Sequence, residues 1–130
     1  MKQENILKEY SDNNILQATP EGLILLLYNK CISNIETAKH WAHKKDIEKT
    51  NTFIQKAEDI LYYLRSTLDK AYPISQQLDT MYEFILNQLI MANIKKDIEQ
   101  MKMASDLVLE LRNLWMEVIE ENIKLKGKAV

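Results

Sequence analysis

Thr19-Pro20-Glu21-Gly22-Leu23-Ile24-Leu25-Leu26-Leu27-Tyr28 is the stretch that decides the fold. Thr is a preferred helix N-cap, Pro suits the first helical position, and Glu21 favours the positive end of the helix dipole, so a helix starts here. From Leu23 to Tyr28 the chain then places six apolar or aromatic residues in a row. A helix turns by about 100° per residue, so six such residues cover its whole circumference. One face enters a core. The other must meet another piece of the chain, a second subunit or a partner, and that surplus points to a protein that binds rather than transforms.

The first helix continues with Ile24, Tyr28, Cys31, Ile35, Ala38 and Ala42 at alternating spacings of four and three, a seam that faces neighbouring helices, and ends near Lys44. Asp46 caps a second helix with a seam of Ile47, Thr50, Ile54, Ala57, Leu61, Leu64 and Leu68, which ends before Pro73. The third starts near Ile74-Ser75, carries Leu78, Met81, Ile85, Leu89 and Ala92, and stops around Asn93–Lys95. Asp97 caps the fourth, whose seam reads Ile98, Met101, Ala104, Val108, Leu111, Trp115, Val118 and Leu125. Around the two Asp caps, His43–Glu48 and Ile94–Glu99 agree at five of six positions, 51 residues apart. Lys-Lys-Asp-Ile-Glu is good turn-plus-cap chemistry, and using it twice divides the chain into two hairpins. The fold expected is all-α, an antiparallel up-down four-helix bundle over residues 19–124 with a frayed tail at 125–130. Residues 1–18 carry Ile6, Leu7, Tyr10, Ile15 and Leu16 around a Ser11-Asp12-Asn13-Asn14 break. They are too apolar for a free tail and too broken for a bundle helix, so an apolar arm or short helix lying on the bundle is expected.

Bulk properties bound the function. The chain has 130 residues, one domain's worth, with 46% hydrophobic residues and only 2 Gly and 2 Pro, which suits few, long helices. A net charge of −2 excludes the basic footprint of a nucleic-acid binder. One cysteine precludes an intrachain disulfide and fits a reducing compartment. The start Met1-Lys2-Gln3-Glu4-Asn5 is no signal peptide, and no window approaches the ~18 apolar residues of a membrane span. A cytoplasmic protein without membrane insertion is expected.

A search for chemistry is mostly negative. A ferritin-like di-iron bundle needs inward carboxylates and Glu-x-x-His pairs. Here Glu36 precedes His40 by four residues rather than three, and no Asp or Glu occupies a seam position. His40 and His43 read as solvated residues near a helix end. Cys31 lies on the first seam with no histidine within two turns, as a buried core thiol does. Gly22 and Gly127 stand alone, so there is no phosphate loop. No enzyme activity, cofactor or metal is expected. Tyr62-Tyr63, Tyr82 with Phe84, and Leu107, Leu109, Leu114 and Met116 place apolar side chains off the seams, and six methionines add soft side chains suited to a helical ligand.

The motifs in order resemble those of the FliS family, the flagellar secretion chaperones. Tyr10 is followed by an Ala-x-Pro-x-x-Leu-x-x-x-Leu-Tyr motif at Ala18, Pro20, Leu23, Leu27 and Tyr28. The second helix carries Lys56-Ala57, Ile60, Leu64 and Leu68-Asp69; the third Leu78, Met81-Tyr82, Leu89, Ala92-Asn93 and then Asp97; the fourth closes on Leu111-Arg112 and Trp115. The chain departs from the family pattern at Asn29, where Asp is usual, at Met81 for Leu, and in the connection Ala71-Tyr72-Pro73-Ile74.

The resemblance implies a chaperone that binds the disordered C-terminal segment of flagellin, prevents its premature polymerisation and keeps it competent for flagellar type III secretion. It also implies an N-terminal arm, with its tyrosine, that belongs to the binding site and covers the groove when no ligand is present. Candidate partner contacts are Tyr10, Ile15 and Leu16 on the arm and Leu23, Leu26 and Leu27 on the first helix. Ile54, Ala57, Leu61 and Leu64 serve core, groove or both. Asn93 bonds ligand backbone or caps its helix. Further flagellar export or co-chaperone partners fit the same reading, with the chain a monomer or weak homodimer. The alternative is a self-associating helical structural or adaptor protein whose surplus apolar face makes a homodimer.

Overall fold

The computed structural model of the chain describes residues 19 to 128, without the side chains of 123 and 126 to 128. Four helices follow one another: α1 (Pro20–His43), α2 (Ile47–Ser66), α3 (Ile74–Lys95) and α4 (Ile98–Lys128). No strand occurs among the described residues. Each helix packs on two others, α1 on α2 and α4, and α3 on the same two, so the helices form a ring. Side-chain bonds fix the antiparallel register of α1 and α4. Ser105 Oγ donates to Glu36 (3.0 Å), Arg112 Nε to Asn29 Oδ1 (3.1 Å) and Trp115 Nε1 to the Glu21 carbonyl (2.9 Å), so one number rises as the other falls. The expected all-α bundle is the fold observed. The N-terminal arm lies outside the described residues.

The short connections explain the sequence repeat. At the end of α1, Lys45 takes a left-handed conformation (φ 62°), its N–H donates to the Ala42 carbonyl (3.0 Å), and the Asp46 N–H donates to the Trp41 carbonyl (3.0 Å). At the end of α3, Lys96 (φ 53°) repeats this with Asn93 (3.3 Å), and Asp97 with Ala92 (2.9 Å). Both are Schellman-type ends that satisfy the last carbonyls of a helix. Each runs directly into an N-cap: the Asp46 carboxylate accepts the Lys49 N–H (3.0 Å) and the Asp97 carboxylate the Gln100 N–H (3.2 Å). The repeated residues therefore build the same chain reversal twice. At α3 the left-handed residue is Lys96, so the capping role open to Asn93 falls to its neighbour.

The seams form one core. Cys31, Ile35, Ile54, Ala57, Leu61, Ile85, Leu89, Met101, Ala104 and Val108 are fully buried. The diagonal helices do not approach one another at the backbone, yet α1 and α3 are joined. The hydroxyls of Tyr28 and Tyr82, both buried, lie 2.6 Å apart, because only long side chains span the diagonal. Burial pushes both phenols above the ordinary tyrosine range, and Tyr28 adds to the rise at Tyr82.

Two expectations are corrected: the place of Leu68 and the late part of the α4 seam. α2 ends at Ser66, short of Pro73, and Leu68 packs on the core from the connection. There the Thr67 N–H turns back to the Tyr63 and Leu64 carbonyls, and the Asp69 carboxylate takes the Ala71 N–H (2.9 Å), which starts a turn. The α4 seam drifts. A strict seven-residue pattern leads to Val118 and Leu125, but a helix of 3.6 residues per turn brings Ile119 inward, leaving Val118 and Leu125 exposed. The α4 helix is described through Lys128. Glu58 and Ser105, on no seam, are buried, and burial raises the Glu58 carboxyl above the usual range.

Lys45→Gly should raise unfolding stability by roughly 0.5–1 kcal/mol, since glycine takes a left-handed conformation without the Cβ clash. Lys96→Gly should bring no gain, because the Lys96 ammonium donates to Asn51 Oδ1 (2.6 Å) and to both the carbonyl (2.8 Å) and side-chain oxygen (2.6 Å) of Asn93. Urea melts of the two variants compare them directly.

Tyr28→Phe should cost about 1–2 kcal/mol by leaving the Tyr82 hydroxyl unpaired in the core, and adding Tyr82→Phe should cost little more. Because both native pKa values are raised, the pair's contribution is whole below the ordinary tyrosine value of about 10 and is lost as pH rises above it toward the native values. Denaturant melts across this alkaline range should show a fall in the wild type that is smaller in the double variant.

Candidate partner-binding surface

The run from Leu23 to Tyr28 divides its side chains around α1. Leu25 and Tyr28 are buried; Ile24 and Leu27 are half-buried against the core. Leu26 joins a small second cluster with Leu25, Ile119, Trp115 and Met116, where α4 meets the start of α1. Leu23 is left 48% exposed. Of the residues expected at the partner surface, Leu23, Leu26 and Leu27 are therefore at least partly open. Ile54, Ala57, Leu61 and Leu64 are closed core and offer no surface. Asn93 is half-buried, and its side-chain and main-chain oxygens are both taken by Lys96. Tyr10, Ile15 and Leu16 lie outside the described residues.

A larger apolar surface follows the groove between α3 and α4. Gln100 donates to Gln88 (3.0 Å), which marks the contact line of the two helices. Phe84 and Met91, on either side of Gln88 and seven residues apart, are 50% and 42% exposed on α3. On α4, Met103 and Leu114 are exposed and Leu107 is half-buried between them. Ile74 lies as far before Gln88 as Leu114 lies after Gln100, so α3 begins about level with Leu114. The last turns of α4, with Val118 and Leu125 exposed on the same side, have no α3 beside them. The off-seam residues Phe84, Leu107 and Leu114 were visible in the sequence. That they gather along one groove required the register of α3 against α4.

At the same end of the bundle a cavity of about 690 Å³ opens between the end of α2 and the start of α3, with Tyr62, Leu68, Arg65, Lys70 and Ser75 among its walls. Arg65 and Asp79 cross this seam in a two-pronged pair (2.7 and 3.3 Å). The guanidinium holds the Asp79 carboxyl below its usual range.

Among the described residues the buried thiol does not suit covalent chemistry. The Cys31 thiol is fully buried, leans on the Ala57 carbonyl (3.7 Å), and burial pushes its pKa up to about 12, so it stays protonated and closed to reagents. Glu36 is engaged by Lys39 (3.2 Å) and Ser105. Among the described residues no group of three or more His, Cys, Asp or Glu could hold a metal ion, and no helix is long and apolar enough to cross a membrane.

Several motif residues prove to be joints of the bundle. Tyr28 meets Tyr82, Asn29 meets Arg112, and Trp115 meets the backbone of Glu21. Asn29 accepts from the Arg112 guanidinium, the place where a carboxylate would make an ion pair.

Comparison with known proteins agrees with this arrangement. The family described as "Flagellar protein FliS" matches residues 3–122. The flagellar secretion chaperone FliS of Bacillus subtilis (strain 168) is 31% identical over 121 residues, covering 93% of this chain and 91% of that protein. The flagellar secretion chaperone FliS of Vibrio cholerae is 26% identical over 121 residues, 92% of this chain and 89% of its own length. The flagellar secretion chaperone FliSB of Pseudomonas aeruginosa is 27% identical over 115 residues, 84% of this chain and 91% of that protein. With a register of motif pairs that hold its helices together and a match over nearly the whole chain, this protein belongs to the FliS family of flagellar secretion chaperones.

Proposed function

We propose that this chain works in the cytoplasm as an export chaperone without enzymatic activity. It binds the disordered C-terminal segment of flagellin, prevents its premature polymerisation and keeps it competent for flagellar type III secretion. Family membership supplies the class of protein. The observation that carries the rest is the apolar surface the bundle cannot bury: Leu23 on α1, Phe84 and Met91 on α3, and Leu114, Val118 and Leu125 on α4. Apolar side chains gathered along the α3–α4 groove suit an interaction site, and Leu23 adds a separate exposed residue on α1. An amphipathic segment laid along a helix groove matches apolar residues at helical spacing to such a surface. Burial on the order of 1,000–3,000 Å² then outweighs several kcal/mol of ordering in the bound segment.

The N-terminal arm completes this reading. Its apolar residues Tyr10, Ile15 and Leu16 join the site, and the arm covers the groove until flagellin displaces it. Ile54, Ala57, Leu61 and Leu64 shape the groove from within by setting how α2 packs, not by touching the guest.

Val118→Glu and Leu23→Glu should each weaken flagellin binding by about tenfold, because they put a charge on apolar surface, while the exposed positions leave the fold intact. Tyr10→Ala should weaken binding with little change in melting temperature. Titration calorimetry with a flagellin C-terminal peptide, paired with melting curves, measures both. Unchanged affinity in all three variants would overturn the assignment of the surface. Sedimentation should show a monomer or weak dimer that responds to the peptide; a stable dimer indifferent to it would favour self-association.

A further inference from the structure

We infer that the exposed ledge of α4 selects a polypeptide segment with a basic edge. The segment is an amphipathic helix of about three turns. Its apolar stripe lies on Leu114, Val118 and Leu125, and its lysine or arginine side chains face Glu110, Glu117 and Glu121. That this surface takes a guest rests on the reading above; which guest it prefers is decided by its charges.

The length of the guest follows from where the helices stop. α3 begins about level with Leu114, so α4 beyond that point has no α3 beside it. From Leu114 to Leu125 an α-helix rises about 17 Å, or roughly three turns. A helix laid there takes the place that a longer α3 would fill.

Acidic residues border this apolar strip. Residues three or four apart share one side of a helix. Glu110 lies four before Leu114 and Glu117 three after it; Glu121 lies three after Val118 and four before Leu125. All three acids are exposed, and none forms a salt bridge or hydrogen bond with a described residue. The cations of α4 do not answer them. Arg112 donates to Asn29 on α1 and to Asn113, Lys102 pairs with Asp106, and Lys124 forms no salt bridge with Glu121.

The α3 bank of the groove is neutral. Gln77, Thr80 and Asn87 lie at helical spacing from Phe84, while Asp79 and Glu83 turn to α2 and share Arg65. The groove therefore has one negative bank and one uncharged bank. A basic-edged segment finds partners in one orientation and loses them when reversed, and an acidic-edged segment is repelled. Complementary rim charges of this kind set encounter rate and register more than final affinity. The acids are strung along about 17 Å of helix, so they match a row of side chains rather than one ion. Among the described residues no acidic group is gathered closely enough to hold a metal.

Two model peptides of about three helical turns, with the same leucine stripe and edged with either lysine or glutamate, test the charge without flagellin. In calorimetric titrations of the full chain at about 0.01 M salt, where charges act over roughly 30 Å, the lysine-edged peptide should bind about tenfold more tightly. At about 1 M salt, where the range falls to roughly 3 Å, that preference should vanish. A Glu110→Gln, Glu117→Gln, Glu121→Gln variant should lose the preference at low salt. A Glu48→Gln, Asp59→Asn, Glu99→Gln variant, with the same change in net charge at exposed positions away from the ledge, should keep it. Failure of both peptides to bind, equal binding of the two, or equal loss in both variants overturns the inference. A flagellin C-terminal peptide is then titrated into the same variants and should weaken about tenfold in the ledge variant alone. Flagellin binding that both variants leave unchanged overturns the basic edge and leaves the flagellin reading standing. A lysine preference without any flagellin binding upholds the basic edge and rejects the flagellin reading.

Discussion

A helix in a ring of four has neighbours on two sides and turns the rest of its circumference to solvent. The rest of this structure depends on that limit. The seams fill the interior with buried side chains such as Ile35, Ile54, Leu89 and Val108, and Tyr28 and Tyr82 close the diagonal with one hydrogen bond. The chain nevertheless carries more apolar side chains than two-sided helices can hide. Phe84, Met91, Leu114 and Val118 lie on the outer half of their helices for geometric reasons, and no rearrangement of the same ring brings them inside without expelling the seam.

Length adds to this surplus. α4 has 31 residues against 22 in α3, and the tight Lys96-Asp97 reversal forces the two helices to start level at one end. The excess of α4 must therefore project at the other end, where the start of α1 covers one side through Leu25, Trp115 and Ile119 and leaves the other bare. The same end holds the uncapped start of α3 and its cavity. Apolar ledge and cavity lie at the same end because both are consequences of where the helices stop.

Much of this was legible in the sequence. The Asp46 and Asp97 caps and the three-four spacing of Cys31, Ile35 and Ala38 located the helices and most of the core, since capping and periodicity are local signals. Local signals failed where tertiary geometry decides. Val118 and Ile119 exchange places because a long helix drifts from a seven-residue repeat, and Leu68, read as part of the second seam, packs on the core from the connection after Ser66. Ile54 and Leu61 could not be sorted into core or groove without their neighbours. The motif residues Tyr28, Asn29, Arg112 and Trp115 join helices to one another, a pairing that no local signal shows. The α3 cavity left only a faint trace: a helix start, Pro73-Ile74-Ser75, without the capping residues its three counterparts possess.

Hydrogen exchange of the full chain, with and without the flagellin C-terminal segment, tests the central claim most directly, because the ends of helices open locally and a docked guest closes them. The account predicts slowed exchange in the last turns of α4, along the outer side of α3 and in the first turn of α1, with the core amides around Ile54 and Leu89 unchanged. Binding without protection at those positions, or no binding at all, would contradict it.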